Sequence, residues 1–293
     1  MRIIYWSTGP FEETPETRAF RAPDVELTIV TSFAEFAAAL PGADALACVD
    51  PGRMGVAREV AELLRAPTTT LRWIHIRTAG RDGLLAAGVP ATITVTGPEG
   101  AHAPVLAEHT LAFMLAFSAL AGKTVAIVGL GHAGREVAKR VRAFDMRVIA
   151  ATRTPRPDPA VDAVYPLAEL HAVLAQADFI ALTIALAPET RHLIGAPEFA
   201  VCKPAAILTN IARGGIVDQT ALLAALRSGA IAGAGIDATE PEPLPPDDPL
   251  WDAPNLIISP HVAGGTSPLS QQRLAERVIE NLHKFRNGTL VPT

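Results

Sequence analysis

The segment Val125-Ala126-Ile127-Val128-Gly129-Leu130-Gly131-His132-Ala133-Gly134 restricts what this chain can fold into more than any other. An unbroken apolar run of this kind reads as a parallel strand buried on both faces. A glycine-punctuated turn follows it and opens a helix. In that setting Gly129 permits the tight turn, Gly131 lets backbone amides approach a pyrophosphate, and Gly134 lets the helix pack closely on the strand. His132 and Ala133 then sit at a helix N-terminus, whose unpaired N–H groups and positive dipole end attract phosphates. A dinucleotide-binding turn is the expectation, with a merely structural glycine turn as the alternative.

The turn lies near the middle of 293 residues, a length that accommodates two ordinary domains. A hydrophobic content of 49% against 19% charged residues describes a soluble globular chain. The net charge of −5, without any basic run, argues against a nucleic-acid partner. Cys48 and Cys202 lie far apart in apolar segments and read as buried thiols of a reducing compartment, not as a bridge or metal site. The N-terminus goes straight into a strand-like run, and the longest apolar stretch, 111–121, is too short to cross a bilayer. A cytoplasmic location, no membrane association and no metal are therefore expected.

Strand-like and helical patterns alternate along most of the chain. Strands are expected at 3–6, 27–30, 45–49, 73–76 and 92–96, then at 147–151, 179–182, 206–210, 233–237 and 256–259. Helices are expected at 33–40, 57–64, 102–120 and 269–285, while the proline-rich pieces 154–159 and 240–249 read as loops. Repeated β-α units imply parallel sheets covered by helices on both faces. The expected architecture is α/β, with two Rossmann-like domains and a cleft between them. Residues 1–97 with 266–293 would form the substrate domain, and 98–265 the dinucleotide-binding domain.

Three segments after the glycine turn place polar groups at strand ends. In Asn210-Ile211-Ala212-Arg213-Gly214-Gly215 an arginine follows a buried strand, where a guanidinium could clamp a carboxylate. Gly235-Ile236-Asp237-Ala238-Thr239-Glu240-Pro241-Glu242 gathers acids at another strand end, and Ser259-Pro260-His261 puts a histidine just past a third. Taken singly, a surface-paired arginine, an acidic loop and a structural histidine are the plainer readings. Taken together, Arg213, Glu242 and His261 supply what reduction of an α-keto acid needs: carboxylate binding, an orienting acid and a proton donor. No GxSxG elbow and no HExxH pattern offers a hydrolase alternative. His109, within an apolar helix, reads as a packed or hinge residue.

The chain resembles the D-isomer-specific 2-hydroxyacid dehydrogenase family. The matching pieces are Ala79-Gly80-Arg81-Asp82, Ala107-Glu108-His109, the glycine turn, Pro188-Glu189-Thr190-Arg191-His192-Leu193-Ile194, and the three strand-end segments. The resemblance implies that Arg213 binds and polarises the substrate, that Glu242 pairs with His261, and that His261 is the general acid/base. It also implies that backbone amides at Ala79 and Gly80 hold the substrate carboxylate and that Asp237 meets the nicotinamide carboxamide. Ile184, Thr190, Ile211, Ala212 and Gly264 are placed beside the cofactor. The implied reaction is NAD(P)H-dependent reduction of glyoxylate, hydroxypyruvate or a similar 2-keto acid to the D-2-hydroxy acid. The alternatives are a dinucleotide-sensing interaction protein on the same fold, and an oxidation such as that of formate or phosphite.

Where NAD-dependent Rossmann domains carry an acid at the end of the second strand, this chain has Thr152-Arg153-Thr154. A guanidinium flanked by hydroxyls suits a 2′-phosphate, so NADP(H) is expected to be preferred and NAD(H) possible. The chain departs from the family pattern at Arg81 and Ala185, in a short C-terminus, and between Phe117 and Thr124. That last junction omits the extra helix and loop that usually help build a homodimer.

Overall fold

The computed structural model describes residues 1–9, 11–265 and 267–292. Their contacts group the chain into two compact units, Met1–His102 with Thr266–Thr293, and Ala103–Gly265. The sequence places the seam after Gly97. In the structure the following turn stays with the first unit, and the second opens with the helix Ala103–Phe117.

Among the described residues, the first unit has five parallel strands: β1 (Arg2–Trp6), β2 (Glu26–Val30), β3 (Ala45–Cys48), β4 (Trp73–Ile76) and β5 (Thr94–Thr96). Their order is β2-β1-β3-β4-β5. Successive side chains of β1 point to opposite faces. Ile4 and Trp6 pack with Phe36, Val60 and Leu64, whereas Ile3 and Tyr5 pack with Phe20, Trp73, Val278 and Leu282. The second face is thus closed by the long helix Pro268–Arg286, near the far end of the chain. Pro268 at its first turn costs no hydrogen bond, and the Ser267 hydroxyl caps it by accepting from the Ser270 amide.

The second unit has seven parallel strands among the described residues: β6 (Thr124–Val128), β7 (Arg147–Thr152), β8 (Ala163–Pro166), β9 (Phe179–Leu182), β10 (Ile207–Asn210), β11 (Gly233–Ile236) and β12 (Leu256–Ile258). The order β12-β11-β10-β9-β6-β7-β8 runs outward in both directions from the β6–β9 pair. That pair is the topological switch point, and the carboxyl ends of the strands beside it are where such a sheet takes a ligand. β9 and β10 are buried throughout, and β6 is buried after Thr124. Ala126 and Val128 face one core and Val125 and Ile127 the other, which accounts for the unbroken apolar run.

Two features differ from the sequence reading. The strand β8 is not expected from the sequence, because its four half-buried residues Ala-Val-Tyr-Pro lie at the sheet edge and end in proline. The short helices Pro15–Ala19 and Asp82–Ala87 also lack a periodic pattern long enough to read. The junction expected from the sequence is present as a turn: the helix ends at Phe117 and β6 begins at Thr124.

Candidate active site

The glycine turn is built at the carboxyl end of β6. Gly129 has φ +98°, and a Cβ there would lie 2.7 Å from the Ile184 Cα. A Cβ on Gly134 would lie 2.2 Å from the Gly129 carbonyl oxygen, so only glycine lets the helix His132–Arg142 approach the strand this closely. Gly131 is different. It caps the helix with nothing within 4 Å of an added Cβ, and His132 beside it is exposed. Internal packing therefore explains Gly129 and Gly134 but not Gly131, which leaves room for a ligand before the helix N-terminus. The Thr183 hydroxyl donates to the Gly129 carbonyl at 2.5 Å and ties the turn to the end of β9.

At the end of the same sheet the three expected polar residues sit on strand-end loops that are stitched together. Arg213 follows β10, and the Asn210 side chain shapes this turn by donating to the Arg213 carbonyl and accepting from the Ala212 amide, at 2.8 and 3.0 Å. Gly214 packs on the backbone of the loop after β11, where a Cβ would lie 2.2 Å from the Thr239 carbonyl carbon. Gln219 fastens this contact by exchanging two 2.7 Å hydrogen bonds with the Glu240 backbone. The Glu240 carboxylate takes Arg191 at 3.0 Å. Beyond that clamp, Glu242 Oε1 lies 2.5 Å from His261 Nδ1. A carboxylate only accepts, so Nδ1 carries the hydrogen and Nε2 is the nitrogen left for a substrate. The His261 and Glu242 side chains are 17% and 38% exposed, so the pair remains reachable from solvent.

Asp237 is 2% exposed, and its carboxylate is used by the His261 loop itself. Oδ1 accepts from the Ser259 hydroxyl at 2.5 Å and from the Val262 amide at 2.9 Å; Oδ2 accepts from the Ala263 amide at 2.9 Å. The sequence reading assigns Asp237 to the nicotinamide, whereas the structure shows it anchoring the residues on either side of His261. A carboxylate has about four acceptor positions, so one on Oδ2 stays available. Thr190 likewise shapes its own loop. It is buried, donates to the Ala185 carbonyl at 2.8 Å and accepts from the Ala187 amide at 2.7 Å. Ile211 is buried with Phe113 and Ala263, and Ala133 packs against the same cluster; Ala212 is half-buried, as is Gly264.

The expected ribose end lies at the close of β7. Thr152 Oγ1 is buried and makes no hydrogen bond among the described residues. Such an orphaned hydroxyl at a strand end fits a site that a ligand hydroxyl completes. Arg153 and Thr154 are exposed, and Arg153 Nη1 donates to Glu189 Oε1 at 2.8 Å. The guanidinium read as a phosphate clamp is thus held by a carboxylate that sequence reasoning missed. The spacing of 36 residues between them gave no local signal.

In the first unit, the loop after β4 contains Ala79, exposed, and Gly80, buried. Asp50, at 2% exposure, shapes its far end by accepting from the Gly83 and Leu84 amides, both at 2.8 Å. At its near end Arg77 donates from Nε and Nη2 to the two Glu16 oxygens at 2.9 and 2.8 Å, and lies 4.4 Å from the Tyr5 ring centroid. The histidine before it, His75, is fully buried, and that burial pushes its imidazole down to about 3 from 6.5, with Arg77 and Arg277 adding to the shift.

Known proteins match this arrangement. Residues 107–263, which carry the glycine turn and the Arg213, Glu242 and His261 segments, fit the family model for the D-isomer specific 2-hydroxyacid dehydrogenase NAD binding domain. A glyoxylate reductase of Korarchaeum cryptofilum is 34% identical over 239 residues, covering 75% of this chain and 71% of that protein. A glyoxylate reductase of Thermococcus gammatolerans is 41% identical over 172 residues, covering 59% of this chain and 51% of the relative, so the match spans about half of its length. Among solved structures, a D-isomer specific 2-hydroxyacid dehydrogenase family protein from Aeromonas salmonicida superposes with a TM-score of 0.84 at 27% identity, covering 99% of this chain and 97% of its own.

The matched NAD binding domain and the relatives place the chain among nicotinamide-dinucleotide oxidoreductases. The chain belongs to the D-isomer-specific 2-hydroxyacid dehydrogenase family. No helix among the described residues is long and apolar enough to cross a membrane.

Proposed function

We propose that the chain reduces a small 2-keto acid of the glyoxylate or hydroxypyruvate type to the D-2-hydroxy acid, and prefers NADPH to NADH. The observation that carries this reading is the 2.5 Å His261–Glu242 pair, joined through the Glu240 clamp to the loop of Arg213. The two sequence relatives described above are glyoxylate reductases. These names favour a reductase over a dinucleotide-sensing interaction protein.

Gly131, His132 and Ala133 would hold the pyrophosphate at the helix N-terminus, with Gly129 and Gly134 shaping the turn. Thr152, Arg153 and Thr154 would take the adenosine ribose and its phosphate. Ile184, Thr190, Ile211, Ala212 and Gly264 would line the remaining path, and Asp237 would offer its last acceptor position to the carboxamide. When bound, the nicotinamide supplies a hydride to the keto carbon.

The chain's own residues supply the rest. Arg213 binds the carboxylate and draws electron density toward the keto oxygen, and the amides of Ala79 and Gly80, in the first unit, would serve as carboxylate donors. His261, protonated, delivers the Nε2 proton to the oxygen as charge develops there. Glu242 holds the ring in the required tautomer and balances the imidazolium charge. Replacing His261 with Ala should lower turnover about 10²–10⁴-fold while dinucleotide affinity stays unchanged. Turnover at the wild-type level would remove His261 from this role.

The preference for NADPH rests on the missing acid at Thr152 and on Arg153 beside it. A 2′-phosphate carries about two negative charges against one on Glu189, so Arg153 would exchange partners when NADPH binds. Comparing kcat/KM with the two cofactors tests this, and a clear preference for NADH would overturn it. We also place the protein in the cytoplasm. Its two cysteines are free, and burial pushes the Cys202 thiol up to about 11, which suits an unreactive thiol of a reducing compartment.

A further inference from the structure

The helix Ala103–Phe117 carries His109 in a largely apolar sequence, and the reaction described above does not use it. His109 Nε2 lies 2.9 Å from Ser259 Oγ and 3.7 Å from Asp237 Oδ1. Its ring meets Phe113 edge-on, with centroids 4.7 Å apart, which fixes the plane of the imidazole.

Counting hydrogens sets the direction of these bonds. Asp237 as a carboxylate only accepts. Ser259 has one hydroxyl hydrogen, and the 2.5 Å contact to Asp237 Oδ1 uses it. The Ser259 lone pair therefore accepts the Nε2 hydrogen of His109. A hydroxyl is a rotor, and a donor on one side commits its hydrogen to the other. The series begins at His109, passes through Ser259 to Asp237, and ends on the amides of Val262 and Ala263.

Those amides immediately follow His261, whose φ is +54°. A non-glycine residue keeps such a left-handed conformation only where its surroundings over-determine it. We propose that His109 is a positioning residue: acting through Ser259 and Asp237, it holds the left-handed backbone of His261 and so aims Nε2 at the reacting oxygen. The proposal rests on the proton-donor role assigned to His261. His109 is half-buried and Ser259 is half-buried, so neither substitution removes a core residue.

The test uses the whole protein with glyoxylate as substrate. H109A, S259A and H109A/S259A are compared for kcat, KM, dinucleotide affinity and Tm, with H109Q and H261A alongside. A loosened proton donor should cost about tenfold in kcat, with dinucleotide affinity and Tm near wild type. The double variant should lose no more than either single one, because all three break the same series. Gln at 109 retains an Nε2 donor and should recover most of the loss. Wild-type turnover in H109A, multiplying losses in the double variant, or an H109Q no better than H109A would each overturn the proposal. An active H261A would instead overturn the role of His261. An inactive H261A beside an unaffected H109A would remove only the positioning role.

Discussion

At the end of β1 the first unit turns through Ser7, Thr8 and Gly9, and nothing lies within 4 Å of a Cβ added to Gly9. At the end of β6 the second unit turns through Gly129, Leu130 and Gly131, and a Cβ on Gly134 would meet the Gly129 carbonyl at 2.2 Å. Both turns leave the first strand of a parallel sheet, yet only the second is pressed against a helix N-terminus. The charged groups differ in the same way. In the first unit Glu16 and Asp50, each 2% exposed, are engaged by Arg77 and by backbone amides within the unit. In the second, His261 spends one ring nitrogen on Glu242 and keeps the other. Sheet topology thus supplies a platform in both units, while the bonding state of the strand-end residues decides which platform carries chemistry.

The largest test of that contrast is Arg213. Arg213→Gln should lower kcat/KM for glyoxylate about 10²-fold or more, since a planar bidentate donor to the carboxylate is lost. Asp50→Asn in the first unit should act through the shape of its loop, with a smaller loss. A larger loss for Asp50→Asn in the same assay would reverse the contrast. The two turns are compared by Gly134→Ala and Gly9→Ala under urea denaturation. The first should cost about 1–3 kcal/mol by overpacking, and the second should stay within about 0.5 kcal/mol.

The cofactor end gives a smaller effect. Arg153→Ala should lower the NADPH-to-NADH ratio of kcat/KM by about tenfold, whereas Glu189→Gln should raise it a few-fold by releasing the guanidinium. A fall in the ratio on Glu189→Gln would show that Glu189 does not compete with the phosphate.

The smallest effect belongs to the first unit. His75 is held near 3 when folded and returns to about 6.5 when unfolded. Between those values the unfolded chain binds a proton that the folded chain does not. Stability contributed by the neutral ring therefore rises with pH through this window and is lost on acidification. His75→Gln should flatten the dependence of Tm on pH between about 4 and 6. An unchanged slope would mean that other groups set it.

Much of this molecule is legible in its sequence because local patterns encode it. The buried runs of β4 and β9 fall where apolar periodicity puts them, and the glycine turn announces its own geometry. Long-range pairs are not encoded in that way. Nothing near His109 signals Ser259, which is 150 residues away, and nothing near Arg77 signals Glu16, 61 residues away. Asp237 shows the limit most clearly. Its strand-end position marks it as important, but only the amides of Val262 and Ala263 reveal that it shapes the loop of the proposed proton donor. For His109 the available signal was a short polar run, Glu108-His109-Thr110, within a largely apolar helix.

In the reading proposed above, the second unit's His261–Glu242 pair and Arg213 turn dinucleotide binding into reduction of a 2-keto acid. Steady-state consumption of NADPH and NADH by the wild-type protein, measured against glyoxylate, hydroxypyruvate and pyruvate, tests it most directly. Turnover should be faster with NADPH and should yield the D-2-hydroxy acid. Tight dinucleotide binding without turnover on any 2-keto acid would contradict it.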